Sequence, residues 1–387
     1  MICLTYTNMF EVRIKGDYMT KYNMVKNAIQ SKITDGTYTA HQKISSESEL
    51  MKEFGVSRHT VRQAIGELVT TGWLYREQGS GTFCADRTVE KKSEHRENQK
   101  SIAIVTTYIS DYIFTSIIRG AEARLSEAGY QVSIFSTNNN HENERLILGK
   151  LLNQKFDGVI VEPTKSAYSN PNLAYYLELE QQSIPYIMIN AYYDELEPIS
   201  IVMDDEKGGF IQTEHLINLG HRNIIGCFKT DDMQGAQRMK GFLKAHRKNN
   251  VPINPRNIIT YTTEGKETKP VQELDKLLSA PNHGLTGLVC YNDEIAMKLL
   301  NVLREKNIII PDDFSMVGYD DSFLAEISEV KLTSIVHPKS LMGEEAANTI
   351  LDLINSKKNK NNDAFNRNSI VYSPELVVRT STKDINE

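Results

Sequence analysis

Between residues 101 and 380 the chain alternates short apolar runs with stretches of helical period, and this alternation limits the possible folds more than any other feature. The runs fall at 101–106, 131–135, 157–161, 185–190, 224–228, 287–291 and 315–319. Residues 115–128, 142–154, 207–219, 235–249 and 293–306 carry the three-to-four spacing of helices. SIAIVTTYI, from Ser101, is apolar on both faces, as a strand covered on both sides must be. The repeated strand–helix order predicts an α/β fold with parallel sheets and helices on both faces. Such sheets hold ligands outside the carboxyl ends of their strands.

Polar groups just after the strands are therefore candidates for a binding site. Tyr108 and Asp111 follow the first run, with Phe114 nearby. Glu162 follows DGVIV, Asn190 closes YIMIN, and Asn292 and Asp293 follow LVCY. Asp320 and Asp321 follow SMVGY, Arg238 opens a helix face in QRMKGF, and His337 follows LTSIV. Carboxylates and amides exchange hydrogen bonds with hydroxyls, arginine donates, and an aromatic face covers C–H surface. The set suits a neutral polyol, and a single arginine is too little positive charge for a nucleotide. Each residue alone has a plainer explanation. Asp320-Asp321 can make a turn, Asn292-Asp293 can cap a helix, Glu162-Pro163 can lie in a loop, and one histidine among nine is more often structural. Their joint placement at strand ends favours a cleft.

The charge separates a second part. The whole chain carries −6, which taken alone argues against nucleic acid. Residues 101–387 hold 29 Lys/Arg against 38 Asp/Glu, whereas residues 19–88 hold nine against seven. The N-terminal part is thus mildly basic and the acidic excess belongs to the large part. Between them RTVEKKSEHRENQK, with Val89 as its only aliphatic residue, has the composition of a solvated linker over 87–100.

From Lys21 the small part shows an apolar stripe of Tyr22, Val25, Ile29 and Ile33, ended by Gly36. A second helix is expected over 46–54, with Leu50 and Phe54 inward and Ser46 and Glu49 at capping-box spacing. Gly55-Val56-Ser57 then makes a turn, and Ser57 can cap a third helix whose buried stripe is Val61, Ile65 and Leu68. Arg58, His59, Arg62 and Gln63 largely avoid that stripe. Arginine suits guanine and glutamine suits adenine in the major groove, which a helix-turn-helix enters with the start of its second helix. GWLY from Gly72 and GSGTF from Gly79 predict two short strands around a glycine-rich tip, a wing able to approach a phosphate closely. Solvated charges on a helix face are the plain alternative. The order of the parts raises the signal.

SSESELMKEFGVSRHTVRQAIGELVTTGWLYREQGSGTF resembles the GntR family of winged-helix regulators almost throughout. That resemblance implies that Ser46, Glu47 and Ser48, then Arg58, His59, Thr60 and Arg62, then Gln78, Gly79 and Gly81 lie at DNA. Glu47 and Glu49 suit structural acceptor roles better than DNA contact. HLINLGHRNIIGCF, QRMKGF, TGLVCYNDEIAMKLL, PDDFSMVGYDDS and KLTSIVHP are similar to the LacI/GalR effector domain, itself similar to periplasmic sugar-binding proteins. It implies two α/β lobes with a sugar between them. Arg238, Asn292 and Asp320 fall on the family's recurrent ligand positions, Asn190 where aspartate is frequent and His337 where glutamine is frequent. Asp111 and Phe114 match a polar residue and an aromatic of the first loop, and Asp293 is a helix cap first and a ligand second.

The expected organisation is a winged helix over 19–86, a linker over 87–100 and a sugar-binding, dimerising domain over 101–387. Residues 1–18 show no period and no signal-peptide core. Lys15-Gly16-Asp17-Tyr18 can be encoded by AAAGGAGATTAT, a ribosome-binding sequence, so translation is expected to start at Met19. The expected protein is a cytoplasmic, homodimeric repressor of operator DNA that a sugar releases. The four cysteines are far apart in sequence, so neither a Cys-pair zinc site nor a disulfide scaffold is indicated, and no metal or cofactor is expected. No apolar run spans a bilayer, and no nucleophile–base spacing commends an enzyme. A transport-type sugar-binding protein is one other reading, but it would not need a winged helix; which pentose or hexose acts on a repressor is left open by the residues.

Overall fold

The computed structural model describes residues 21–34, 36–77, 80–85, 100–109, 112–281, 283–358 and 368–385. The proposed extension 1–18 and nearly all of the linker lie outside these residues. The chain divides into two units, Met1–Asn98 and Gln99–Glu387.

The first unit holds α1 (Lys21–Thr34), α2 (Glu47–Phe54), α3 (Arg58–Thr70) and the hairpin β1 (Leu74–Glu77) and β2 (Gly81–Cys84). Val25 and Ile29 from α1, Leu50 from α2, and Val61, Ile65 and Leu68 from α3 are all buried in one core with Ile44 and Leu74. The helix starts are fixed locally. Ser46 accepts from the Glu49 N–H while Glu49 accepts from the Ser46 N–H, a complete capping box. Ser57 accepts from the Thr60 N–H at 3.3 Å. Gly55 ends α2 at φ 61°, a left-handed conformation that costs glycine little.

The second unit consists of two lobes. The first lobe takes β3 (Ser101–Thr106), α4 (Tyr112–Glu127), β4 (Gln131–Ser136), α5 (His141–Asn153), β5 (Gly158–Val161), α6 (Leu173–Gln181), β6 (Tyr186–Ile189) and β7 (Ser200–Met203). The chain then crosses to α7 (Asp205–Asn218), β8 (Ile224–Lys229), α8 (Met233–Lys248), β9 (Ile258–Tyr261), α9 (Lys269–Leu278), β10 (Gly287–Cys290), α10 (Asp293–Glu305), β11 (Ser315–Asp320), α11 (Phe323–Ile327) and β12 (Thr333–Val336). It returns through α12 (Lys339–Lys358) and β13 (Ile370–Tyr372) to the first lobe and crosses a third time to β14 (Leu376–Val377). The first sheet, in the order β13-β7-β6-β5-β3-β4, is wholly parallel. The second, in the order β14-β12-β11-β10-β8-β9, is parallel except for β14.

Each lobe has its own core. Ile102, Ile104, Ile160 and Ile187 pack against α4 and α12, and Ile225, Leu288 and Met316 pack against α9 and α10. The α7–α8 pair is close because its contacts are glycine. A Cβ on Gly209 would meet the Arg238 carbonyl oxygen at 2.1 Å, and one on Gly241 would meet the Glu206 carbonyl oxygen at 2.0 Å. The alternation in the sequence locates the central strands to within a residue or so. It does not reveal β7, β9, β13 or β14, nor α6, α9 and α12.

Candidate functional site

In the first unit Arg58, His59, Arg62 and Gln63 form the exposed face at the start of α3, with Ser46 and Ser48 exposed beside them on the approach to α2 and its first turn. Thr60 is half-buried and its hydroxyl lies 2.9 Å from that of Ser57. Glu47 accepts from Arg58 Nε at 3.0 Å and stands 3.5 Å from Arg62 Nε. One carboxylate on α2 thus holds two guanidinium groups of α3 side by side. In the wing, Leu74 pairs with Cys84 and Glu77 with Gly81, and Tyr75 stacks on Phe83. Gly81 has φ 129°, and the Lys43 side chain lies 2.6 Å from where its Cβ would be. Lys43 is therefore a basic group at the wing that sequence reasoning missed. Gln78 and Gly79 lie outside the described residues.

In the second unit a cavity of about 70 Å³ opens between the lobes. Every strand from β3 to β12 contributes to its wall at or just beyond its carboxyl end. From the first lobe come Thr107, Tyr108, Asn139, Glu162 and Asn190, with Ile113 and Phe114 on α4. From the second come Lys229, Asp232, Arg238, Tyr261, Thr263, Tyr291, Asn292 and Asp320, and from the crossings Met203, Asp205 and His337.

Arg238 organises the second lobe's side. It is 4% exposed, donates from Nε to Asp205 at 2.8 Å and from Nη1 to the Tyr291 carbonyl at 2.7 Å, and stacks on Tyr319 with its carbon 3.4 Å from the ring centre. Burial pushes the Asp205 carboxyl up to about 6, against the pull of Arg238. Asp320 has φ 95°, a costly backbone for a non-glycine residue and one that clusters at functional sites. Its Oδ2 accepts from the Tyr112 hydroxyl, and its Oδ1 stands 3.9 Å from Arg238 Nη2. His337 Nε2 meets Asn190 Oδ1 at 3.2 Å. Burial, with Lys339 and Arg238 adding, pushes the His337 imidazolium down to about 3, so the ring is neutral. Glu162 accepts from the Thr107 N–H and hydroxyl at 2.8 and 2.6 Å. Tyr108 is raised by burial above the usual phenol range.

Five buried polar atoms of this wall have no hydrogen-bond partner among the described residues: Asn190 Nδ2, Gln234 Oε1, the Tyr261 hydroxyl, Asp320 Oδ1 and His337 Nδ1. Asn190 Nδ2 is a donor, Gln234 Oε1, Asp320 Oδ1 and His337 Nδ1 are acceptors, and the Tyr261 hydroxyl can act as either, the complement of a group of hydroxyls. Leaving such atoms unsatisfied costs about 1–3 kcal/mol each, which a ligand that pairs them would recover.

Of the residues singled out from sequence, Tyr108, Phe114, Glu162, Asn190, Arg238, Asn292, Asp320 and His337 all line this cavity, and Asp111 lies outside the described residues. Asp293 does not line it. Asn292 caps α10, accepting from the Ile295 N–H, and Asp293 turns beneath, fully buried. There it accepts from the Ser322 N–H and the Ser334 hydroxyl, both at 2.7 Å. Burial, with Asp320 nearby, raises its carboxyl to about 7. The reading of a single cation is also corrected, because Lys229 and Lys266 share the wall with Arg238. Lys229 is committed to Asp232 and Asp231, and Lys266 to Glu294. Sequence reasoning missed Asp205, Lys229 and Asp232. All three obey the strand-end rule that found the others. Among the described residues no group of acidic, histidine and cysteine side chains is placed to hold a metal, and no helix is long and apolar enough to cross a membrane.

Comparison with known proteins agrees with this division. Residues 21–84 match the bacterial regulatory proteins of the gntR family, and residues 213–382 match the periplasmic binding protein-like domain. The arabinose metabolism transcriptional repressor of Halalkalibacterium halodurans is 59% identical over 94% of this chain and 97% of its own. The protein of that name from Geobacillus stearothermophilus is 47% identical over 96% of this chain and all of its own. The chain belongs to the family of arabinose metabolism transcriptional repressors. This chain joins a GntR-type helix-turn-helix to a LacI-type, periplasmic-binding-like domain. The transcription regulator CcpA of Lactococcus lactis shares the fold, with a TM-score of 0.64 at 21% identity over 74% of this chain and all of its own. These relatives are transcriptional regulators. This member is likewise a transcriptional repressor.

Proposed function

We propose that this chain represses genes for L-arabinose use, binding operator DNA as a cytoplasmic homodimer and releasing it when L-arabinose fills the cavity. Residues 19–86 hold the operator, 87–100 link, and 101–387 bind the sugar and pair the protomers. Ser48, Arg58, His59, Thr60, Arg62 and Gln63, with Ser46 and the wing residues Gln78, Gly79 and Gly81, meet the DNA, and Glu47 aligns the two arginines. Tyr108, Asp111, Phe114, Glu162, Asn190, Arg238, Asn292, Asp320 and His337 surround the sugar, joined by Asp205 and Asp232.

The observation that carries the reading is the cavity wall. Its unpartnered donor and acceptors beside a buried Arg238 match a small neutral polyol, and Tyr108 and Phe114 supply apolar surface for its C–H face. L-arabinose among the polyols rests on the relatives' names. Calorimetric titration of the full chain with aldopentoses and hexoses tests it, alongside fluorescence anisotropy on operator DNA with and without each sugar. The expected result is heat with L-arabinose and loss of operator binding by the same sugar. Heat and release with another sugar alone would replace the effector. Heat without release would remove the repressor mechanism.

A further inference from the structure

The three crossings between the lobes, Met203–Asp205, Val336–Lys339 and Tyr372–Leu376, leave from β7, β12 and β13. In the first sheet β4 is the edge strand opposite β13, and in the second β9 is the edge strand opposite β14. The segments after β4 and β9 therefore face each other across the mouth of the cleft, away from the crossings. They are joined there. Asn139 Nδ2 donates to the Thr263 hydroxyl at 2.6 Å, and Lys165 Nζ is paired with Glu264 at 2.6 Å. The Met233 N–H at the start of α8 donates to the Ser166 hydroxyl at 2.9 Å.

Each half is anchored in its own lobe. The Lys165 N–H donates to Asn139 Oδ1 at 2.7 Å, and the Thr263 N–H donates to the buried Asp231 at 2.9 Å. Asn139 and Lys165 have φ of 50° and 44°. A lysine stays in that region only where its surroundings fix it. Asn139 and Thr263 line the cavity, but Lys165, Ser166 and Glu264 do not.

We infer that Asn139, Lys165 and Ser166 on one lobe and Thr263, Glu264 and Met233 on the other form a latch across the cleft mouth, and that Lys165 and Glu264 set how long the sugar stays bound without touching it. The inference rests on the reading of the cavity as a sugar site. A group that ties the lobes together only in the closed form shifts the closed–open balance by its differential contact. The dissociation rate reports this balance, because a bound sugar leaves only through the open form.

The test uses the full chain with Cys3→Ser, Leu177→Cys on α6 and Lys276→Cys on α9, carrying a nitroxide on each introduced cysteine. Interlobe distances are measured without sugar, and sugar dissociation is followed by stopped flow. Glu264→Gln is expected to speed dissociation about threefold, as an exposed ion pair allows. Glu264→Lys replaces attraction by repulsion and is expected to speed it about tenfold and lengthen the interlobe distance. Adding Lys165→Glu to Glu264→Lys should restore both to within about twofold of the parent. Unchanged distances and rates in Glu264→Lys, or no rescue by Lys165→Glu, would overturn the latch. If no aldose binds any variant, the sugar reading fails, and the distances alone still decide whether the latch exists.

Discussion

Arg238 shows why truncating one residue is a poor test of this site. Arg238→Ala would leave Asp205 buried without its partner, which costs about 3–5 kcal/mol, and would strip the cation from the Tyr319 face. Arg238→Met combined with Asp205→Asn removes both charges together. That double variant is expected to fold, to bind operator with unchanged affinity in an anisotropy assay, and to ignore the sugar at any concentration. His337 offers a second test. Its folded pKa is about 3, against 6.5 for an ordinary histidine. Between these values the unfolded chain takes a proton that the folded chain refuses, so stability falls as the pH drops from 6.5 toward 3. His337→Gln should therefore lose about 2 kcal/mol less than the parent between pH 7 and pH 5, read from thermal melts at both. Asp205 and Asp293, raised to about 6 and about 7, work in the opposite direction but are common to both proteins and cancel in the comparison. At this scale the sequence reveals which strand ends matter but not which way neighbours point. Asn292 is the extended cap residue and Asp293 the first residue of α10, so the backbone changes direction between them and sends the two side chains to different sides. One therefore lines the cavity while the other braces β11 and β12 from below. Gly318 accommodates this, since a Cβ there would stand 2.1 Å from Asp293 Oδ1.

On the proposed operator face α3 presents Arg58 and Arg62, and α2 supplies the Glu47 carboxylate that pairs with both. Arg58→Ala is expected to weaken operator binding by about 1–3 kcal/mol, the value of a base or phosphate contact, while sugar binding measured by calorimetry stays unchanged. Equal loss of both activities in a folded variant would contradict the separation of roles between the units. The α7–α8 pair offers the converse experiment. Gly241→Ala places a methyl group 2.0 Å from the Glu206 carbonyl, so the helices must part and carry Arg238 with them. The expected outcome is a destabilisation of about 1–3 kcal/mol by thermal melting together with weaker sugar binding, although residue 241 is not part of the cavity wall. Element-level reading of the sequence succeeded where apolar runs were long and failed where they were short. β7 is the four residues SIVM, and overlooking it hid Asp205, two residues beyond its end. Lys229 and Asp232 follow an expected strand but also make sense as a turn in KTDD, and only their mutual pairing and the Tyr291 hydroxyl on Asp232 reveal their place in the wall.

The acidic total of −6 conceals two chemistries in one chain, a mildly basic reading unit and an acidic ligand unit. Charge on the whole molecule therefore says little about either, and operator affinity should fall with salt according to the number of phosphate contacts rather than the net charge. Linking the two chemistries imposes a stricter condition. If sugar lowers operator affinity by some factor, operator must lower sugar affinity by the same factor, because both measure one coupling free energy. Couplings of this kind typically amount to about 5- to 150-fold. Titrating the sugar into protein saturated with a palindromic operator duplex, and titrating the duplex into protein saturated with sugar, gives the two factors independently. They are expected to agree within error, and for the Arg238→Met, Asp205→Asn variant the sugar should leave operator affinity unchanged. Glu264→Lys makes a sharper demand. It weakens sugar binding by opening the cleft, so more sugar is needed to release operator, yet release at saturation should be as complete as in the parent. A variant that released operator incompletely at saturating sugar would show that closure across Lys165 and Glu264 is part of the signal itself and not only of its affinity.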